Sequence, residues 1–426
     1  MNFVFSNRAK IFSIVLMLIG AAAMIAGFFL DHSDHHGRWW SNLLINGFYF
    51  TAISLGALFF YALHFATETS WAVLLRRVME SVFSFIPYGA VVLVIVFIGA
   101  SLHWNHIYHW MDESVQMEFV DESTLDSDHP TYFESEEEAK EAGAVPVLNA
   151  DYDSIIANKS AYLNLPFFWI RTIVYLATFI FFANWFRKRS LREDEEGGTA
   201  LHFKGYKRGA VYLVLFAVFS STLAWDWIMS IDTHWFSTLF GWYVFSGMWV
   251  SAMNLITIFT LFLISKGYLK DVNSSHIHDM GKWVFALSFL WSYLWFSQFL
   301  LIWYSNIPEE VTYFMTRIEH YSVPFFGMFI INFALPMLIL MSRDAKRNPG
   351  FLITIGTIIF IGHYMDTYML FTPGVLFEHW HFGWMEIGFF LGFTGLFINR
   401  VLSTLAKAPL EPKNSPYLEE SLHHSI

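Results

Sequence analysis

The chain has 426 residues, 55% hydrophobic and only 14% charged, with a mean hydropathy of +0.44, which excludes an ordinary soluble globule and indicates an integral membrane protein. It has no cysteine, so disulfides, thiolate metal sites, iron–sulfur clusters and covalent c-type haem are excluded within it. The formal charge of -11 is concentrated in one stretch, because 14 acidic residues and two lysines lie between Asn105 and Asn164 and the remainder is close to neutral.

Apolar blocks of about twenty residues, enough for a helix to cross a ~30 Å hydrocarbon core, recur along the chain. They predict ten transmembrane helices, near 10–30, 41–65, 81–102, 165–186, 209–230, 239–265, 282–304, 320–341, 351–372 and 383–403. The fold class is therefore all-α integral membrane. The first block is too long for a signal-peptide core and lacks a small-residue cleavage site, so it reads as a retained span. The chain divides into spans 1–3 (residues 1–104), an acidic loop (105–164), spans 4–10 (165–408) and a tail (409–426).

Loops rich in Lys and Arg stay in the cytoplasm. With the N-terminus inside, 20 of the 25 basic residues fall in cytoplasmic segments, so both termini are expected in the cytoplasm and the acidic loop outside. That loop, with its run Glu134 to Glu138, is too acidic for a large core and has room for short helices. It reads equally as a solvated cover or as the resting place of a water-soluble partner. Asp31-His-Ser-Asp-His-His36, on the same side, has metal-ligand types but no fixed scaffold, and no metal is assigned to it.

Ionisable groups at membrane depth are expensive and commonly mark an ion path. The fifth span carries Asp226 to its outer third, and the ninth carries His363 to the midplane with Asp366 one turn further out on the same face. Arg171, Gln298 and Glu386 reach similar outer depths from the fourth, seventh and tenth spans, and His64, Glu68 and Glu80 lie on the inner side. Ser220, Ser221, Thr222, Asn254 and Asn332 sit between these groups and read first as interhelical hydrogen-bond glue. For Asp226 and the His363/Asp366 pair a functional reading leads, with the alternative that Arg171 neutralises Asp226 and both are structural. A b-type haem is rejected, since no two histidines share the midplane. Aromatic residues gather at span ends as interfacial belts, although an aromatic-lined groove also suits a quinone.

Four stretches carry a family resemblance: AWDWIMSIDTHWFSTLFGWYVFSG (224–247), FSQFLLIWYSNIPEE (296–310), SRDAKRNPG (342–350) and GHYMDTYML (362–370). They resemble the large membrane subunits of bacterial alternative complex III, most closely the ActF type, which belongs with the ActC, NrfD and polysulfide-reductase membrane anchors. The likeness covers about the second half of the chain. It implies two four-helix bundles, spans 2–5 and 6–9, flanked by spans 1 and 10, in which Asp226 and Asp366 occupy equivalent fourth helices.

The resemblance further implies a bacterial inner-membrane complex that oxidises quinol and passes electrons to a cytochrome c or a terminal oxidase. The expected partners are an ActC-like sister subunit holding the quinol site, an iron–sulfur subunit, multihaem and monohaem cytochrome c subunits, and lipids, with no nucleic acid. Iron–sulfur clusters and c-type haems belong to those partners. This chain would be cofactor-free with quinone nearby, a structural partner of the quinol-binding subunit and a proton path. Depth and side-chain chemistry, rather than the resemblance, give its outer relay as Asp226, His363 and Asp366 and its inner inlet as His64, Glu68 and Glu80. Rival readings are a chain that itself binds quinol in an outer pocket around Arg171, Asp226 and Gln298, as the anchor of a molybdopterin/iron–sulfur-type reductase, a secondary transporter, and a pure scaffold.

Overall fold

The computed structural model describes residues 2–112 and 153–426, together with the backbone of 118–120, 132–133 and 145–147. The acidic run Glu134–Glu138 lies outside the described residues. Among the described residues, ten helices are long and apolar enough to cross a membrane: α1 (Asn7–Leu30), α2 (Asp34–Ala66), α3 (Val73–Ser101), α4 (Leu165–Glu196), α5 (Ala200–Ile231), α6 (Phe240–Ser265), α7 (Ser274–Ser305), α8 (Ser322–Ile339), α9 (Pro349–Leu376) and α10 (Trp384–Leu405). The protein is a multi-pass, all-α membrane protein. An even number of crossings brings the first and last described segments to one end, here termed the basic end; the opposite end carries the loop.

Several helices outrun the spans expected from hydropathy. α4 continues to Glu196 and α5 begins at Ala200, because the polar ends are rich in Arg, Lys and Glu, good helix formers that pair along the helix, as Arg189 does with Glu193 at 3.1 Å. Hydropathy sees only the part of a helix immersed in hydrocarbon.

The helices close into two rings. In the first, α2 packs on α3 and α5, and α4 bridges α3 and α5; in the second, α6 packs on α7 and α9, and α8 bridges α7 and α9. The rings meet where α2 lies against α6 and α9, so α2 is buried along almost its whole length. α1 and α10 flank the rings and pack on each other through small residues: a Cβ at Gly20 would sit 2.2 Å from the Gly392 Cα. In lipid, where hydrophobicity does not drive helices together, such close backbone approach supplies the contact.

Within the loop, β1 (Glu118–Val120) pairs antiparallel with β2 (Tyr132–Phe133) and β3 (Val145–Val147), in the order β2-β1-β3. The expected short helices are represented by Ser154–Asn158. The short strands are carried by Phe, Val and Tyr, which favour extended pairing. A further short helix, Pro308–His320, lies between α7 and α8. In the Asp31–His36 turn the Asp31 carboxylate accepts hydrogen bonds from Ser33 and from the Trp39 amide (2.8 Å), fixing the chain into α2.

Candidate functional site

Each ring holds one buried aspartate on its fourth helix, and the two are held differently. In the first ring Asp226 of α5 is fully buried, and Arg171 of α4 grips it with two parallel bonds, Nε to Oδ2 at 2.8 Å and Nη2 to Oδ1 at 2.9 Å. Tyr175 donates a third bond at 3.0 Å, and the guanidinium lies between the Tyr162 and Phe167 rings at 3.9 and 4.1 Å. This bidentate geometry is the strongest available to a carboxylate. Arg171 thus neutralises Asp226.

In the second ring Asp366 of α9 receives the Tyr243 hydroxyl of α6 on one oxygen and the Trp291 indole N–H of α7, at 2.9 Å, on the other. Among the described residues no lysine or arginine pairs with it. His363, one turn away, is 1% exposed, and its Nδ1 stands 3.5 Å from Asp366 Oδ2, too far for a good hydrogen bond. Neither ring nitrogen of His363 has a hydrogen-bond partner among the described residues. Asn332 of α8 is also fully buried with both amide atoms unpartnered. It sits on a π-turn, Ile330–Ala334, and a Cβ at Gly362 would lie 2.1 Å from its Oδ1, so a side chain there would displace the amide. π-turns inside α-helices recur at functional sites, where they re-aim one side chain.

Gln298 lies in this second ring, lining a narrow cleft with Tyr243, Tyr313 and Arg317. Arg171 and Asp226 thus face each other in the first ring while Gln298 lines a cleft of the second. Arg317 also lines a cavity of about 420 Å³ at the loop end, with His109, Asp153, Asp232 and His234. Burial disfavours the Asp153 charge, but His234 and the Ile156 and Ile155 amides outweigh it and hold this carboxyl below its ordinary range. Burial pushes the Tyr313 phenol, in the narrow cleft, up to about 12, so it stays neutral.

The other candidates lie apart from this cluster. Glu386 is clamped at the α2–α10 joint by Arg38, with both bonds at 2.7 Å, and by Asn42. At the basic end His64 Nδ1 meets the Phe60 carbonyl at 2.7 Å. Glu68 is half exposed, 3.6 Å from His202. Glu80 is fully buried between Arg77 and Arg187. Among the described residues each of the three meets a different partner. Of the smaller polar groups, Asn254 donates to the Gly356 carbonyl at 2.6 Å and ties α6 to α9, whereas Ser220 and Thr222 bond within their own helix.

Sequence reasoning passed over Tyr243, Trp291, Tyr175 and Arg317. Aromatic residues make up 20% of the chain, so nothing marks the two that turn a polar atom onto Asp366. Arg317 reads as a surface residue until the helix Pro308–His320 folds it inward, 4% exposed and stacked on Tyr313 at 3.3 Å. No protein-family model matches the chain, and no curated protein matches it.

Proposed function

We propose that this chain is a cofactor-free membrane subunit of a bacterial quinol-oxidising respiratory complex, in which it braces the quinol-binding sister subunit and carries protons through its second ring. In this reading the basic end faces the cytoplasm and the acidic loop the periplasm, following the positive-inside rule. Iron–sulfur and c-haem subunits, and a terminal oxidase where present, carry the electrons. The resemblance of residues 224–247, 296–310, 342–350 and 362–370 to alternative complex III membrane subunits supports the assignment to a complex.

The observation that carries the proton path is Asp366, a buried carboxylate held, among the described residues, by two neutral donors and no cation, beside a histidine whose ring nitrogens have no partner among those residues. A proton on His363 reaches Asp366 by a small ring movement or through one water, and leaves past Tyr243 towards the cleft lined by Gln298 and Arg317. No ion pair has to break. In the first ring the same event would separate Asp226 from Arg171, and breaking a buried pair costs about 3–5 kcal/mol. We therefore assign conduction to the second ring and a structural role to Asp226, Arg171 and Glu386.

The first test is mild-detergent isolation of the tagged chain, read by mass spectrometry, visible spectrum and quinol:cytochrome c activity. Co-isolation with a multihaem cytochrome, an iron–sulfur protein and a second multi-span subunit is expected; a colourless, inactive single chain overturns the assignment. In the isolated complex, Asp366→Asn is expected to lower quinol-driven proton release in vesicles at least about tenfold, the loss that follows when a relay carboxylate cannot take a proton. Proton release unchanged by Asp366→Asn, with the complex intact, ends the conduction reading.

A further inference from the structure

A second pocket lies at the basic end, on the far side of the molecule from the aspartate cluster. It is a cavity of about 230 Å³ where α3, α4 and α10 meet, walled by Arg187, Arg400, Lys407, Asn184 and Thr404, with Glu80 at its floor. Glu80 is already neutralised by Arg77 and Arg187. Arg400 gives one N–H to the Ser84 carbonyl at 3.2 Å and lies over the Tyr88 ring at 4.9 Å, and neither it nor the exposed Lys407 has a carboxylate partner among the described residues. The pocket thus presents surplus positive charge at the depth where a helix leaves the hydrocarbon.

Its membrane-facing side is apolar. Pro87 and Ala183 line this side, and beyond Pro87 the exposed Tyr88, Val91 and Ile95 follow one another along a single face of α3, while Phe181 of α4 is exposed as well. Arginine and lysine set above a lipid-facing apolar strip complement a phosphodiester with acyl chains, and basic pockets between helices at this depth bind anionic headgroups. A free phosphate would use the cations and leave the strip unexplained. We propose that this pocket is a binding site for an anionic phospholipid, with the headgroup phosphate on Arg400, Lys407 and the outer edge of Arg187, and the acyl chains along α3 and α4. The site is independent of the proton path.

The test uses the full chain, purified in mild detergent and stripped of lipid, with thermal unfolding followed by its tryptophan fluorescence and bound lipid counted by native mass spectrometry. Phosphatidylglycerol is expected to raise the unfolding temperature and remain bound, while phosphatidylcholine and inorganic phosphate do neither. The double variant Arg400→Gln/Lys407→Gln is expected to bind phosphatidylglycerol about tenfold more weakly or worse, and Arg400→Lys to retain binding. Should the double variant fold poorly, Lys407→Gln alone, at an exposed position, must still weaken binding several-fold. Equal effects of the two lipids, full reproduction by inorganic phosphate, or unchanged affinity in these variants would each overturn the proposal.

Discussion

Asp226 and Asp366 stand at matching places in two similar rings, and the neighbours of each decide what it can do. Asp226 is gripped by a bidentate guanidinium, whereas Asp366 is held by a phenol and an indole and has no cation partner among the described residues. Replacement of Arg171 by Gln leaves a buried carboxylate unpaired and is expected to destabilise the chain by about 3–5 kcal/mol, read as a lowered unfolding temperature in detergent. The double variant Arg171→Met/Asp226→Leu should recover most of that loss, because it removes both charges together. A double variant no more stable than Arg171→Gln would show that the pair does more than neutralise.

At the scale of helices, two contacts depend on residues without side chains or nearly so. α1 and α10 touch through Gly20, Ala23, Gly388 and Gly392, and a larger side chain at Gly392 would enter the Gly20 backbone. Gly392→Leu is expected to push α1 off α10 and lower stability by about 1–3 kcal/mol, seen in the same unfolding measurement. Since α1 otherwise faces outward, the rings themselves should keep their fold. The second contact is α8 on α9, where the π-turn at Ile330–Ala334 turns Asn332 against Gly362. A regular α-helix through that turn would re-aim the amide and alter the surroundings of His363.

The whole molecule is two rings that meet along α2, with charged networks at the basic end and a cavity at the loop end. Its sidedness is open to a direct test because the natural chain has no cysteine. Single cysteines at Lys266 in the α6–α7 turn and at Glu309 on the helix between α7 and α8, both exposed, should react with an impermeant maleimide from opposite sides of the membrane, Glu309→Cys from the periplasm. Labelling of both from one side would refute the ten-crossing topology.

The number of spans, their places, and the gathering of basic residues at one end were legible in the amino-acid sequence, because each is set locally by transfer of side chains into hydrocarbon. The His363/Asp366 pair was legible too, being a matter of spacing on one helix. Long-range partners were not. That Arg171 closes on Asp226, that Arg38 closes on Glu386, that Gln298 belongs to the other ring, and that Tyr243 and Trp291 hold Asp366 are outcomes of which helices pack together and how each is rotated. Hydropathy specifies immersion but is nearly blind to rotation about the helix axis, so the choice between a carboxylate paired with a cation and one held by neutral donors was made only by the tertiary structure.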